Sequence, residues 1–161
     1  MLPRVIIAVI REKLVKGLNK LRLDHDNNTL DKLVSYVELL EKWNKAYNLI
    51  STESTSELIG RHVLDSLLLG RFLPAKGVMV DIGSGAGLPG IPLAITNPKQ
   101  TVILVDSNGK KTRFMQQCAV MLRLYNVSVK KQRIESLAES SYDVVTARAV
   151  APLKILLPLS E

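Results

Sequence analysis

Between residues 29 and 47, apolar side chains fall at Leu30, Leu33, Val34, Val37, Leu40, Trp43 and Tyr47. Steps of three and four place them along one face of a helix. Thr29 is a suitable residue to cap its start. A second helix is expected over residues 56–72, with Leu58, Ile59, Val63 and Leu67 turned inward. Nearer the start, residues 5–10 form an apolar run closed by Arg11, Glu12 and Lys13. It reads as the apolar part of a helix and is too short to cross a bilayer, which takes about 20 such residues. No small-residue cleavage site follows it. Pro74 and Gly77 then punctuate the chain.

Past Gly77 the period changes. Short apolar strands are expected at 78–82, 101–105, 127–130 and 142–147, with a helix over about 110–124. Strands alternating with helices imply right-handed crossovers and a parallel sheet. The expected fold class is therefore α/β, a Rossmann-like core over 77–161 preceded by a helical part over 1–76. No internal repeat and no low-complexity segment interrupts this plan.

Composition narrows the picture modestly. Of 161 residues 47% are apolar, so a real core can be buried, while aromatics make up only 4%. The formal charge of +7 favours a polyanionic partner, although many enzymes are basic too. One cysteine, Cys118, excludes a disulfide within the chain and fits a reducing cytoplasm. Its place in a helical run reads as core packing.

The chemistry concentrates at Asp81-Ile82-Gly83-Ser84-Gly85-Ala86-Gly87-Leu88-Pro89-Gly90, which follows a strand and opens a helix. Glycines there permit a sharp turn and close approach of a ligand. Asp106 ends the next strand, where a carboxylate can accept from both hydroxyls of a ribose. Residues 85–90 also fit the dinucleotide pattern GxGxxG, which alone is a weak signal. Pro89 and Pro92 remove N–H donors that a pyrophosphate would use, and Asp81 would repel an anion while suiting the ammonium end of S-adenosylmethionine. The residues thus favour S-adenosylmethionine over a nicotinamide cofactor. A nicotinamide dehydrogenase and a ligand-free glycine turn stay as alternatives.

At these residues the chain resembles the ribosomal RNA small-subunit methyltransferase G family, also called glucose-inhibited division protein B. The resemblance rests on Trp43-Asn44-Lys45-Ala46-Tyr47-Asn48-Leu49, on Arg61-His62-Val63-Leu64-Asp65-Ser66-Leu67, and on the glycine turn with its Leu-Pro-Gly-Ile-Pro continuation. It also rests on Val105-Asp106-Ser107-Asn108-Gly109-Lys110-Lys111 and on Tyr142-Asp143-Val144-Val145-Thr146-Ala147-Arg148-Ala149. It implies a class I methyltransferase fold, S-adenosylmethionine as cofactor, and methylation of N7 of a guanine in the decoding region of small-subunit ribosomal RNA. By the same resemblance, cofactor contacts come from Gly83, Gly85 and Leu88 at the turn, from Ile134 and Glu135 beside the adenine, and from Arg148 after the fourth strand. Family chains continue into further strands, so a sheet incomplete at the C-terminus is expected. The expected consequences are a bare fourth-strand edge, self-association through it, and weak activity; a complete chain is expected to be monomeric.

N7 of guanine carries a lone pair and no proton, so its attack on a sulfonium methyl needs no general base, and no catalytic side chain is named. Alignment and exclusion of water carry such a reaction. No Asn/Asp-Pro-Pro-aromatic motif follows the fourth strand, and no metal site is expected. Between Ser107 and Ile134 there are seven basic residues and no acid. Lys110, Lys111 and Arg113 in that block are the candidate contacts to RNA phosphates, against the plainer reading of a solvated face. His62 and Asp65, three apart, can share a helix face for a local hydrogen bond or an RNA role. Trp43 and Tyr47 are read as core. Arg148 and Glu135 have ordinary surface readings beside the functional ones. A small-molecule methyltransferase and a non-catalytic RNA-binding fragment are the rival functions.

Overall fold

The structure is a computed structural model, and it describes residues 2–137 and 142–148. Helix α1 (Arg4–Lys20) is followed by α2 (Asn27–Tyr47). Asp26, not Thr29, caps α2: its carboxylate accepts the Thr29 N–H at 2.7 Å, which places Thr29 inside the helix. Seven residues of α2 are buried, among them Tyr36, which continues the stripe three residues after Leu33 and four before Leu40.

The next helical stretch changes its winding along its length. It is α-helical at α3 (Thr55–Glu57), π-wound over Leu58–Leu64, α-helical again at α4 (Asp65–Leu68), and tightened to 3-10 over Leu69–Phe72. Apolar spacing over 56–72 predicts one helix and does not reveal the slack turn. Leu58, Ile59, Val63 and Leu67 are buried as expected.

Strands β1 (Gly77–Ile82), β2 (Gln100–Asp106), β3 (Val127–Lys131) and β4 (Val144–Ala147) form a parallel sheet in the order β3-β2-β1-β4. Helix α5 (Gly90–Thr96) connects β1 to β2, and α6 (Gly109–Met121) connects β2 to β3. Asn108 caps α6, its side-chain oxygen accepting from the N–H groups of Lys110 and Lys111. Within the described residues β4 pairs on one side only. The expected continuation beyond β4, residues 149–161, lies outside the described residues.

Alternation along the strands divides the core in two. Met79, Val102 and Leu104 face α1, α2, α5 and α6 in one large apolar cluster that includes Phe114, Met115 and Cys118. Val80, Ile82 and Val105 face the other way, with Leu137 and the half-buried Ile103, Val145 and Ala147. Cys118 is fully buried, and that burial pushes its thiol up. Trp43 packs edge-on to Phe114 at 5.6 Å and donates to Gln117, so α2 is clamped to α6. Tyr47, read from sequence as core, is 46% exposed, because it stands on the last turn of α2 where the chain leaves the core.

Candidate functional site

The carboxyl end of the sheet is built around the turn leaving β1. Gly83 (φ 64°) and Gly85 (φ 58°) take up left-handed backbone conformations that a side chain would strain. Ser84 stitches this turn to β2: its N–H donates to the Val105 carbonyl at 3.0 Å, and its hydroxyl accepts the Val105 N–H at 3.1 Å while donating to the Asp81 carbonyl. From α2, the buried Tyr36 hydroxyl donates to the Ala86 carbonyl at 2.7 Å and props the turn from below. The apolar stripe read from the sequence omits Tyr36, so neither its burial nor this support is anticipated there.

Asp106, at the end of β2, is only 9% exposed. One carboxylate oxygen accepts the Gly85 N–H at 2.9 Å and the other the Asn108 N–H at 2.8 Å. Each oxygen keeps a second lone pair. A cavity of about 540 Å³ opens over β1, β2 and β3, lined by Ile82, Gly83, Val105, Asp106, Ser107, Lys111, Gln132, Arg133, Ile134 and Glu135. Apolar Ile82, Val105 and Ile134 offer flat contact for a base, and the fixed Asp106 offers acceptors for vicinal hydroxyls. These acceptors and surfaces fit an adenosine moiety. The crevice outside the strand ends is where such sheets bind their ligands.

The model of the GidB family, rRNA small subunit methyltransferase G, matches residues 29–160. The chain belongs to this family. A ribosomal RNA small subunit methyltransferase G of Halorhodospira halophila is 49% identical over 148 residues, covering 92% of this chain and 70% of the relative. The protein of the same name in Nitrosococcus oceani is 47% identical over 141 residues, 87% of this chain and 65% of its own length. Among solved structures, a SAM dependent methyltransferase from Aquifex aeolicus superposes with a TM-score of 0.53 at 21% identity, over 75% of this chain and 65% of that one. The fold is the Rossmann-like fold of class I methyltransferases.

For this member of the methyltransferase G family, the residues singled out in the sequence do not all converge. Gly83, Asp106, Ile134 and Glu135 share the cavity, and Gly85 adjoins it through its N–H on Asp106. The Leu88 side chain is buried in the main apolar cluster and does not line the cavity. Lys111, singled out for RNA, lines the cavity itself. Lys110 is exposed with its ammonium 5.6 Å above the Tyr47 ring, and exposed Arg113 donates to the Gly109 carbonyl. Sequence reasoning overlooks the Gln132 and Arg133 lining, which only the turn after β3 brings into place.

Asp81 departs from its expected role. It is fully buried on the face shared with Met79, and its carboxylate accepts from the Gly90 N–H and the Thr146 hydroxyl, each at 3.0 Å. It braces α5 to β4 and is not available to a cofactor's ammonium group in this arrangement. Burial raises its carboxyl to about 7 against the hydrogen bonds that favour the charged form.

Arg148 stands away from the first cavity. Its guanidinium donates to the Arg61 carbonyl at 3.1 Å, and it lines a second cavity of about 400 Å³ with Asp65, Ser66, Leu69, Pro89, Val145, Thr146 and Ala147. The first contact falls on the slack turn. In an α-helix the Asp65 N–H would bond the Arg61 carbonyl four residues back; here it goes to the His62 carbonyl. His62 and Asp65 share no hydrogen bond among the described residues. Burial, and then the charge of Arg148, hold the His62 ring below its ordinary pKa.

Proposed function

We propose that this chain binds S-adenosylmethionine in the cavity over β1–β3 and methylates N7 of a guanine in small-subunit ribosomal RNA, in a cytoplasmic setting. The observation that carries the reading is Asp106, pinned by two main-chain N–H groups in a cavity beside the glycine turn that also presents apolar Ile82, Val105 and Ile134. Asp106 would accept from the ribose hydroxyls, Ile134 and Glu135 would flank the adenine, and the backbone of Gly83 and Gly85 would let the ligand lie close. When bound, S-adenosylmethionine supplies an electrophilic sulfonium methyl group. The chain's remaining work is positional. N7 presents its lone pair unaided, so no side chain has to remove a proton, and fixed alignment with exclusion of water lowers the barrier. Lys110 and Arg113, exposed at the start of α6, would take RNA phosphates, and Lys111 adds positive charge at the cavity rim.

Two measurements test this reading. Calorimetric titration should show saturable binding of S-adenosylmethionine and S-adenosylhomocysteine and none of NADH. A labelled-methyl assay on deproteinised small-subunit RNA, with the product nucleoside digested and resolved, should yield 7-methylguanosine. Tight NADH binding, or methyl label on another atom or another base, overturns it.

A further inference from the structure

The two cavities share a wall. Ile82, which lines the first, is the register partner of Ala147, which lines the second. The glycine turn spans both, with Gly83 on one side and Pro89 on the other. A donor whose adenosine sits over β2 and β3 therefore has its far end directed across β1 toward the second cavity. That cavity, at about 400 Å³, falls within the range for small-molecule pockets, about 300–1,000 Å³. Its walls are apolar at Leu69, Pro89, Val145 and Ala147.

Its two charged groups are opposite in sign. Arg148 is held by the Arg61 carbonyl. The Asp65 carboxylate, by contrast, makes no hydrogen bond or ion pair among the described residues. Ser66 and Thr146 are already committed, donating to the His62 carbonyl and to Asp81.

We infer that the second cavity receives the acceptor base, and that Asp65 selects guanine by accepting from its N1–H and 2-amino group. The inference rests on the proposal that guanine N7 is the acceptor. Guanine presents those two donors side by side, matched to the two oxygens of a carboxylate. Adenine presents an unprotonated N1 at the same place, which a carboxylate repels. Binding by those two donors leaves N7 on the other side of the base, free to meet the methyl group, with O6 beside N1 at the end of the bound edge. Arg148, with donors beyond the one used on Arg61, is placed to meet O6 or the nucleotide's phosphate. The slack turn over Leu58–Leu64 carries the Arg61 carbonyl that anchors Arg148.

The test replaces the acceptor guanine of a small-subunit RNA fragment with inosine, which lacks only the 2-amino group. Wild-type protein should prefer guanine by about 10- to 100-fold in kcat/KM, a span fitting the removal of one of two paired hydrogen bonds. The same preference should appear in fragment binding, measured with S-adenosylhomocysteine present. Asp65→Asn and Asp65→Ala should shrink both preferences to within about threefold, by weakening the guanine substrate and not by improving inosine. Cofactor affinity measured by calorimetry should stay as in wild type, which reports that the fold and the first cavity are intact. Variants that keep the wild-type preference in both assays overturn the inference while leaving the methylation reading standing. Wild-type protein that methylates no guanine at all overturns both.

Discussion

The cavity over β2 and β3 is anchored by the turns that adjoin it, whereas the cavity beside β4 is anchored by a contact between distant segments. Asp106 is fixed by N–H groups from Gly85 and Asn108, both close to it in the folded turns that end β1 and β2. Arg148 is fixed by a carbonyl 87 residues away, on a helix that belongs to the N-terminal part. The first kind of site is carried by the local path of the backbone and tolerates changes around it. The second depends on how one packed layer is set against another. A single sheet end thus joins a generic half, fit for a cofactor common to many chains, to a particular half, fit for this family's acceptor.

Asp81 lies between the halves, and substituting it carries the largest expected effect. Its carboxyl, at about 7 in the fold against an ordinary 3.8, makes the folded state hold a proton that the unfolded chain has released. A raised folded pKa gives stability that is full below the unfolded value and is lost as pH climbs through the folded one. Between about pH 4 and about pH 7 this group should contribute up to about 4 kcal/mol of declining stability. Asp81→Asn removes the titration, so urea denaturation across that window should show the wild-type curve falling relative to the variant. Parallel curves would mean that the carboxyl stays charged and the brace is ionic.

The next effect separates the two cavities directly. Asp106→Ala should weaken S-adenosylmethionine binding by about 1–3 kcal/mol, since hydrogen bonds to a charged acceptor disappear. Arg148→Ala should leave that affinity close to wild type and lower methyl transfer instead. Calorimetry and single-turnover assays on both variants check this. An equal drop in cofactor affinity in the two would erase the difference between the cavities.

The smallest effect belongs to the exposed cations at the start of α6. Reversing charge with Lys110→Glu or Arg113→Glu should reduce the salt dependence of RNA binding by about one unit of slope for each phosphate no longer neutralised. Binding isotherms over a range of salt concentrations read it. An unchanged slope assigns these side chains to solvent and to the Tyr47 ring.

How far the sequence reaches follows the same division. The strands, the glycine turn and the Asp106 position are legible because strand period, glycine and a strand-end acid are local signals. Asp81 is half legible: its strand-end place is plain, and counting by two from Met79 puts it on the helix-covered face, which removes it from the cavity. Tyr47 continues the apolar stripe of α2 in spacing, yet a helix end can run past the body it packs on. The Asp26 cap is easily mistaken for one at Thr29, because both residue types cap well and only the backbone decides where the helix begins. The positions of Arg148 and Lys111 depend on packing between distant segments, for which no local pattern exists.

The slack turn at Leu58–Leu64 also acts as a phase shift. In an ordinary helix each residue advances the azimuth by about 100°, so the directions of Ile59 and Ser66 would be tied together by their spacing. A π-wound segment accommodates one residue more than that rule allows, and the two ends of the stretch can be aimed independently. The early part packs Leu58 and Ile59 into the core, and Gly17 of α1 leaves room for Leu64, whose side chain a Cβ there would strike. The later part turns Ser66 inward and Asp65 to the cavity. Deleting one residue within 58–64 would restore regular winding and leave Asp65 near its present bearing, whereas regular winding with every residue kept would rotate it by about 100°. The register of a single turn, more than the identity of any residue in it, sets where the carboxylate points.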